Sequence, residues 1–301
     1  MSRSKPIRSI LAATDFSPHA LHAIRRAGVL AAALHARVKL LHVIDASPLA
    51  RARALMGGED NLKAAYKRSA ARTLEEAIKV LPRAVRAAAR SRVVHGSVLE
   101  GILEAASGSG LLVLGARGGN PLRDLLLGST AERLIQKGCG LLLVVKRAPR
   151  NDYRRVVVAF DFSADATAAL EAALQIAPDA RITLVHAYEG ELERTLWRGM
   201  VAEDEVERVA RQARRDALMA MDRVVARLGQ PAERVDRIVV RGYPPRVVLD
   251  AAARRQADLV AVGKHGRSAL EQMLIGSRSR HIVADARCDV LVAQPHITPR
   301  R

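Results

Sequence analysis

The chain has 301 residues, of which 49% are hydrophobic and 27% charged, and it holds two cysteines. This composition excludes a disordered or collagen-like chain, and two cysteines are too few to staple a small secreted scaffold. The length predicts two domains, and the lack of a long apolar run favours a cytoplasmic protein without a membrane span.

The net charge of +18 is unevenly distributed. Residues 1–150 carry 25 basic and 10 acidic residues, whereas residues 151–301 carry 24 and 21. Such a basic surface can attract nucleic acid, anionic lipid or phosphorylated ligands. However, 41 of the 49 basic residues are arginine, a bias that a GC-rich genome also produces. With three Phe and four Tyr there is little to stack single-stranded bases, so nucleic-acid binding stays an alternative that is not favoured.

Short apolar runs alternate with longer alanine-rich segments along the chain. The predicted strands are SILAAT, VKLLHVI, RVVH, LLVLG and LLLVV in the first half, and VVVAF, ITLVHAY, RIVV, LVAVG and VLVA in the second. Strands that are apolar throughout are typical of parallel sheets covered by helices on both faces. The pattern predicts an α/β fold with two tandem doubly wound domains, each built on five parallel strands.

The two halves are copies of one unit. Asp15 matches Asp161, His42 matches His186 and Gly115 matches Gly263, at offsets of 146, 144 and 148 residues. Nearly constant offsets indicate a duplicated domain. The charged join KRAPRNDYRR places the predicted domains at residues 1–150 and 151–301.

A glycine motif follows the fourth strand of each repeat. Gly115, Gly118 and Gly128-Ser129 have the spacing G-x2-G-x9-G-S, and Gly263, Gly266 and Gly276-Ser277 repeat it. Glycine permits a positive φ and lets an anion approach backbone N–H groups, and the start of a helix favours phosphate. Ser129 and Glu132 also form the S-x-x-E pattern of a capping box, so a purely structural role for the motif stays open.

Two further pairs of segments match between the repeats: ATDFS and AFDFS after the first strands, and LLHVID and LVHAYE at the second strands. Together with the glycine motifs, they make the chain resemble the universal stress protein family in its tandem form. The G-x2-G-x9-G-S pattern marks the ATP-binding branch of that family. The resemblance implies a Rossmann-like five-stranded parallel sheet with strand order 3-2-1-4-5 in each domain.

The resemblance also implies a set of nucleotide-binding residues in each repeat. In the first repeat they are Asp15, Val43, Gly115, Arg117, Gly118, Gly128, Ser129 and Thr130. In the second repeat they are Asp161, Ala187, Gly263, His265, Gly266, Gly276, Ser277 and Ser279. The aspartates would lie beside the adenosine, Val43 and Ala187 would meet adenine through their backbone, and the others would line the ribose and phosphates.

The implied function is that of an adenine-nucleotide-binding regulatory protein of the stress response. ATP would be the ligand, with Mg²⁺ carried on its phosphates and at most slow hydrolysis; no catalytic residue and no metal-ligand set is predicted. One alternative is a nucleotide-free scaffold that acts through an unidentified protein partner, either as an intramolecular pseudo-dimer paired through its fifth strands or as a homodimer. The other is a binder of nucleic acid or anionic surfaces through the basic first half.

Overall fold

The computed structural model describes residues 6–45, 59–118, 127–188, 203–229, 232–266 and 276–294. The strands in these ranges are β1 (Ser9–Ala13), β2 (Arg37–Asp45), β3 (Arg90–Gly96), β4 (Leu111–Gly115), β5 (Leu142–Val145), β6 (Arg155–Ala159), β7 (Arg181–Tyr188), β8 (Val235–Arg241), β9 (Leu259–Gly263) and β10 (Asp289–Ala293). The helices are α1 (Pro18–Leu34), α2 (Glu59–Lys79), α3 (Arg83–Arg86), α4 (Val98–Ala106), α5 (Ser129–Lys137), α6 (Ala164–Ile176), α7 (Glu203–Arg227), α8 (Pro244–Arg254) and α9 (Ser277–Asp285).

The first compact unit combines Met1–Asp152 with Arg287–Arg301. Its strands lie in the order β3-β2-β1-β4-β5-β10, and β1 to β5 are mutually parallel. This is the order 3-2-1-4-5 that the family resemblance implies. The prediction of a doubly wound α/β fold is therefore confirmed.

The last strand of the chain belongs to this first unit. Strand β10 pairs antiparallel with β5, with Val290 opposite Val144 and Leu291 opposite Leu143. All four residues of β5 are buried, and an uncovered apolar edge strand is prone to aggregate, so this pairing protects it. The compact units therefore differ from the predicted domains, because the end of the chain belongs to the first unit. The domain limits of 1–150 and 151–301 stay a prediction about the duplicated sequence.

The second compact unit comprises Tyr153–Ala286. Its strands lie in the order β9-β6-β7-β8, and all of its strand pairs are parallel. The same succession of elements thus appears twice, as the sequence repeat predicts.

The helices begin where their sequences favour it. The Ser17 hydroxyl accepts the Ala20 N–H before α1, and the Ser163 hydroxyl accepts the Ala166 N–H before α6, at 3.2 and 3.1 Å. Serine at this position satisfies an N–H group that the helix itself cannot pair. Within the described ranges, no helix is both long and apolar enough to cross a membrane.

Candidate functional site

The turn after the first strand of each repeat holds an aspartate in a fixed position. Asp15 Oδ1 accepts the N–H of Ser17, and Asp161 Oδ1 accepts the N–H of Ser163, both at 3.0 Å. The residue inside each turn, Phe16 or Phe162, has a φ of 65°. An aromatic residue rarely adopts a positive φ, and its presence in both repeats marks a constrained turn. Each carboxylate is thereby held at the carboxyl edge of the sheet.

Gly115 and Gly263 are required by close packing and not by a positive φ. An added Cβ at Gly115 would lie 2.7 Å from the carbonyl carbon of His19, and one at Gly263 would lie 2.7 Å from Cβ of Asp165. No motif glycine is among the described residues with a positive φ. The freedom to adopt a positive φ is therefore not used at these positions, because the strand ends run directly against the first turns of α1 and α6.

Gly118 and Gly266 connect the motif to the aspartates. An added Cβ at Gly118 would lie 2.8 Å from Asp15 Oδ2, and one at Gly266 would lie 2.9 Å from Asp161 Oδ2. Only glycine leaves the carboxylate its observed position. The two parts of the predicted site are thus in direct contact in both repeats.

The helix after the motif begins at glycine. Gly128 is the N-cap of α5 and Gly276 is the N-cap of α9, and within the described chain no side chain caps either helix. The Gly128 N–H donates to the Ala116 carbonyl at 2.7 Å, and the Gly276 N–H donates to the Lys264 carbonyl at 3.0 Å. Ser129 is not the N-cap that its S-x-x-E pattern with Glu132 allowed, because the Gly128 carbonyl accepts the Glu132 N–H at 3.0 Å and Ser129 is the first helical residue. An uncapped first turn leaves backbone N–H groups for an anion.

A cleft of about 120 Å³ opens at this edge of the first unit. Its lining includes the predicted residues Asp15, Val43, Gly115, Arg117, Gly118 and Thr130. Gly128 lies next to this lining, since an added Cβ there would be 3.6 Å from Arg117 Cα and 3.7 Å from the Gly118 nitrogen, and Ser129 immediately precedes the lining residue Thr130. The structure therefore brings the predicted residues of the first repeat to one place.

Sequence reasoning missed the apolar side of this cleft. It is formed by Ala13, Leu41, Val98, Ile102, Leu114 and Ala131, with Thr14 and Ala20 beside them. Val98 and Ile102 project from α4 one helical turn apart. The only signal for them in the sequence is this i, i+4 spacing after Gly96, which also fits an ordinary core helix.

The second repeat uses its polar residues differently. The Ser279 hydroxyl donates to the Gly263 carbonyl at 2.7 Å, so its proton is already engaged. His265 donates its backbone N–H to Asp165 Oδ2 at 2.9 Å, and its Nδ1 lies 3.0 Å from the same oxygen. Ala187 lies on β7 opposite Val240, and Ser277 opens α9. A histidine–aspartate pair thus stands where the first repeat has the exposed Arg117.

The described residues contain no group of three or more His, Cys, Asp or Glu side chains that could hold a metal ion. His19 and His22 lie on α1 with ring centroids 6.1 Å apart. Burial lowers the pKa of His22, and the neighbouring His19 and Arg25 lower it further, while Asp289 acts in the opposite direction. A neutral, partly buried His22 fits a packing role in the first unit.

A doubly wound sheet with a duplicated glycine motif at its carboxyl edge defines a class of ligand-binding α/β domains. The model of the universal stress protein family matches residues 6–146 and 152–294. The chain belongs to the universal stress protein family.

Individual relatives resemble the chain over different lengths. A universal stress protein of Mycobacterium tuberculosis is 31% identical over 216 residues, which cover 67% of this chain and 64% of the relative. The crystal structure of a universal stress protein from Archaeoglobus fulgidus covers 95% of this chain and 98% of its own, with a TM-score of 0.65 at 20% identity. A universal stress protein solved in complex with cAMP covers 48% of this chain and 98% of its own at 25% identity, with a TM-score of 0.33.

Proposed function

We propose that this chain is an adenine-nucleotide-binding regulatory protein of the stress response, with ATP as its ligand. The observation that carries the proposal is the cleft of the first unit, in which Asp15, Gly118 and the uncapped start of α5 meet. An acidic side chain, a glycine loop and free helical N–H groups are the parts that a nucleotide requires.

The two sides of the cleft suit the two ends of a nucleotide. The apolar side, with Leu41, Val98 and Ile102, offers a dry surface for a base beside the backbone of Val43. The polar side offers Arg117, Thr130 and the N–H groups at the start of α5 to the phosphates. A permanent positive charge and a helix N-terminus both favour a polyphosphate there.

The glycines leave the space that such a ligand needs. A Cβ at Gly118 would lie beside Asp15 Oδ2, and a Cβ at Gly128 would lie close to the backbone of Arg117 and Gly118. Both positions are on the phosphate side of the cleft. Mg²⁺ would arrive with the nucleotide, because phosphate oxygens and water supply most of its ligands.

The second repeat would bind the same ligand with a changed phosphate side. Asp161, Gly266 and Gly276 keep the arrangement of the first repeat. His265 replaces the arginine, and Asp165 holds it by two contacts. Regulation would follow from nucleotide occupancy, with hydrolysis slow at most.

The direct test is to denature the purified chain and identify the small molecules it releases. Recovery of an adenine nucleotide, or binding in calorimetric titrations with ATP, is expected. A chain that releases no nucleotide and gives no binding heat with ATP, ADP or cAMP would instead be the nucleotide-free scaffold.

A further inference from the structure

Four cations lie on one face of two neighbouring strands in the first unit, near the amino ends of both strands. Arg37 and Lys39 are on β2, and Arg90 and Arg92 are on β3, and all four are exposed. Lys39 is directly opposite Arg90 in the parallel register, and Arg92 is opposite Leu41. Since side chains two residues apart share a face, the four project from the same side of the sheet. We call this set the cationic strand face.

The cationic strand face is not covered by α4. That helix covers the strands further along, where an added Cβ at Gly101 would lie 3.2 Å from Val43 and 3.4 Å from Val94. Lys39 precedes Val43 by four residues, which is about 13 Å along a strand. The cations therefore stand at the amino ends of the strands, and Arg92 comes nearest the proposed nucleotide site, because it lies opposite Leu41, which lines the cleft.

In the part of the chain that the structure describes, these cations have no carboxylate partner. Among the described residues none of the four forms an ion pair, and the stretch 77–99 contains no Asp or Glu. Like charges directly opposite one another on adjacent strands oppose pairing. The repulsion between these cations in the free chain would decrease when an anion binds to them.

The second repeat provides an internal comparison at the same register. Arg37, Lys39, Arg90 and Arg92 correspond to Arg181, Thr183, Asp236 and Ile238, because Arg37 pairs with Ser9 as Arg181 pairs with Arg155. There the arginine donates twice to Asp236, from Nε and from a terminal nitrogen, each at 3.1 Å. Arg255 adds a second cation 3.4 Å from the same carboxylate. Arg90 Nη1 donates to the carbonyls of Ala87 and Ala89, at 3.5 and 3.0 Å. Among the described residues, one repeat thus presents four cations without a carboxylate partner where the other presents a closed ion pair.

We propose that the cationic strand face of the first repeat binds the phosphate backbone of a nucleic-acid duplex. Arg90 and Arg92 are two residues apart on a strand, about 6.7 Å, which matches the rise of about 6.8 Å along the helix axis over two base-pair steps of a duplex. A bilayer is a poorer partner, because interfacial binding needs apolar side chains to insert, and among the described residues Val80 and Tyr66 are the large apolar groups that this unit exposes. Tyr66 is the one large exposed aromatic residue among the described residues of this unit, too few to stack single strands, which favours the duplex.

The salt dependence of binding has a defined size. Four phosphate contacts give a slope of about −3.6 in a plot of log K against log salt concentration. Affinity should then fall about 150-fold between 50 and 200 mM salt. Sequence should matter little, because the contacts are to phosphate.

The test measures binding of a fluorescent 20-bp DNA duplex to the full chain by anisotropy at several salt concentrations. The double variant Lys39→Thr, Arg90→Asp gives the first repeat the residues that fold successfully in the second. The control Arg68→Gln, Arg72→Gln, Arg83→Gln removes the same charge from exposed positions on α2 and α3. Circular dichroism verifies that both variants are folded.

We expect the double variant to lose at least tenfold in affinity at 50 mM salt and to show a slope smaller by about two to three. The affinity of the control variant for the duplex should stay within about twofold of the affinity of the original chain. Equal losses in both variants would overturn the proposal, since net charge alone would then explain binding. Binding to phosphatidylserine vesicles without binding to the duplex would overturn it as well.

Discussion

Replacing Asp289 with asparagine tests what holds the last strand in the first unit. Asp289 opens β10 and pairs with Arg26 of α1 at 3.4 Å, with side chains 2% and 7% exposed. Its Oδ1 also accepts the N–H groups of Lys146 and Arg147, at 2.8 and 3.3 Å, just beyond β5. Arg26 in turn donates to the carbonyl of Asn151 at 2.7 Å. One buried carboxylate thus connects α1, β10 and the segment between the repeats.

The expected loss follows from leaving a buried cation without its partner. Breaking a buried ion pair on one side costs about 3–5 kcal/mol. Asparagine keeps an oxygen that can accept the Lys146 N–H. The expected loss of unfolding free energy is therefore at the lower end of this range, about 3 kcal/mol. With a urea dependence of about 2 kcal/mol per molar, the unfolding midpoint should fall by about 1.5 M.

Urea unfolding followed by circular dichroism measures this shift. The control Lys79→Met breaks the exposed pair with Glu76, whose side chains are 64% and 68% exposed. That change should cost less than about 0.5 kcal/mol. A midpoint for Asp289→Asn that moves no further than that of the control would refute a stabilising role for the buried pair.

Three other outcomes follow from the structure. Residues 1–150 made alone lack β10 and expose the edge of β5, so light scattering should show self-association, and a monodisperse monomer would argue against this. Gly115→Ala should destabilise the chain by about 1–3 kcal/mol in urea, because its Cβ meets backbone; an unchanged midpoint would disprove the packing role. Burial lowers the pKa of His22, so the unfolded state binds its proton more readily and stability must fall as pH drops below about 6.5. His22→Asn should reduce that fall and His95→Asn, at an exposed site, should not; identical acid profiles for all three chains would contradict the assignment.

Much of the fold could be predicted because its signals are local. The apolar runs predicted the strands, and the sequence repeat predicted two copies of one unit. The strand order came from the family resemblance and agrees with the structure. The sequence did not predict that β10 belongs to the same compact unit as β5, because their pairing joins residues about 146 positions apart.

The residues of the candidate site came from the sequence and the family resemblance, and the contacts that constrain them did not. Glycine at position 115 permits a positive φ, yet what requires it is contact with His19, which no local pattern shows. The sequence left an N-cap role open for Ser129, yet Gly128 takes that role while its N–H is bonded to the Ala116 carbonyl. The cations at Lys39 and Arg90 became a cluster only once the strand register was known. In each case the missing information was a tertiary contact.

Titration of ATP into the full chain and into the double variant Gly118→Ala, Gly266→Ala tests the central claim most directly. The added methyl groups would lie 2.8 and 2.9 Å from the ends of the Asp15 and Asp161 side chains, which can move, so the variant should fold while its sites are disturbed. Gly108→Ala is the matched control, because an added Cβ there meets nothing within 4 Å. We expect the original chain and the control to bind ATP with the same affinity. The double variant should bind ATP at least about tenfold more weakly, which is a loss of about 1.4 kcal/mol of binding free energy. A folded double variant with unchanged ATP affinity, or an original chain that does not bind ATP, would contradict the central claim.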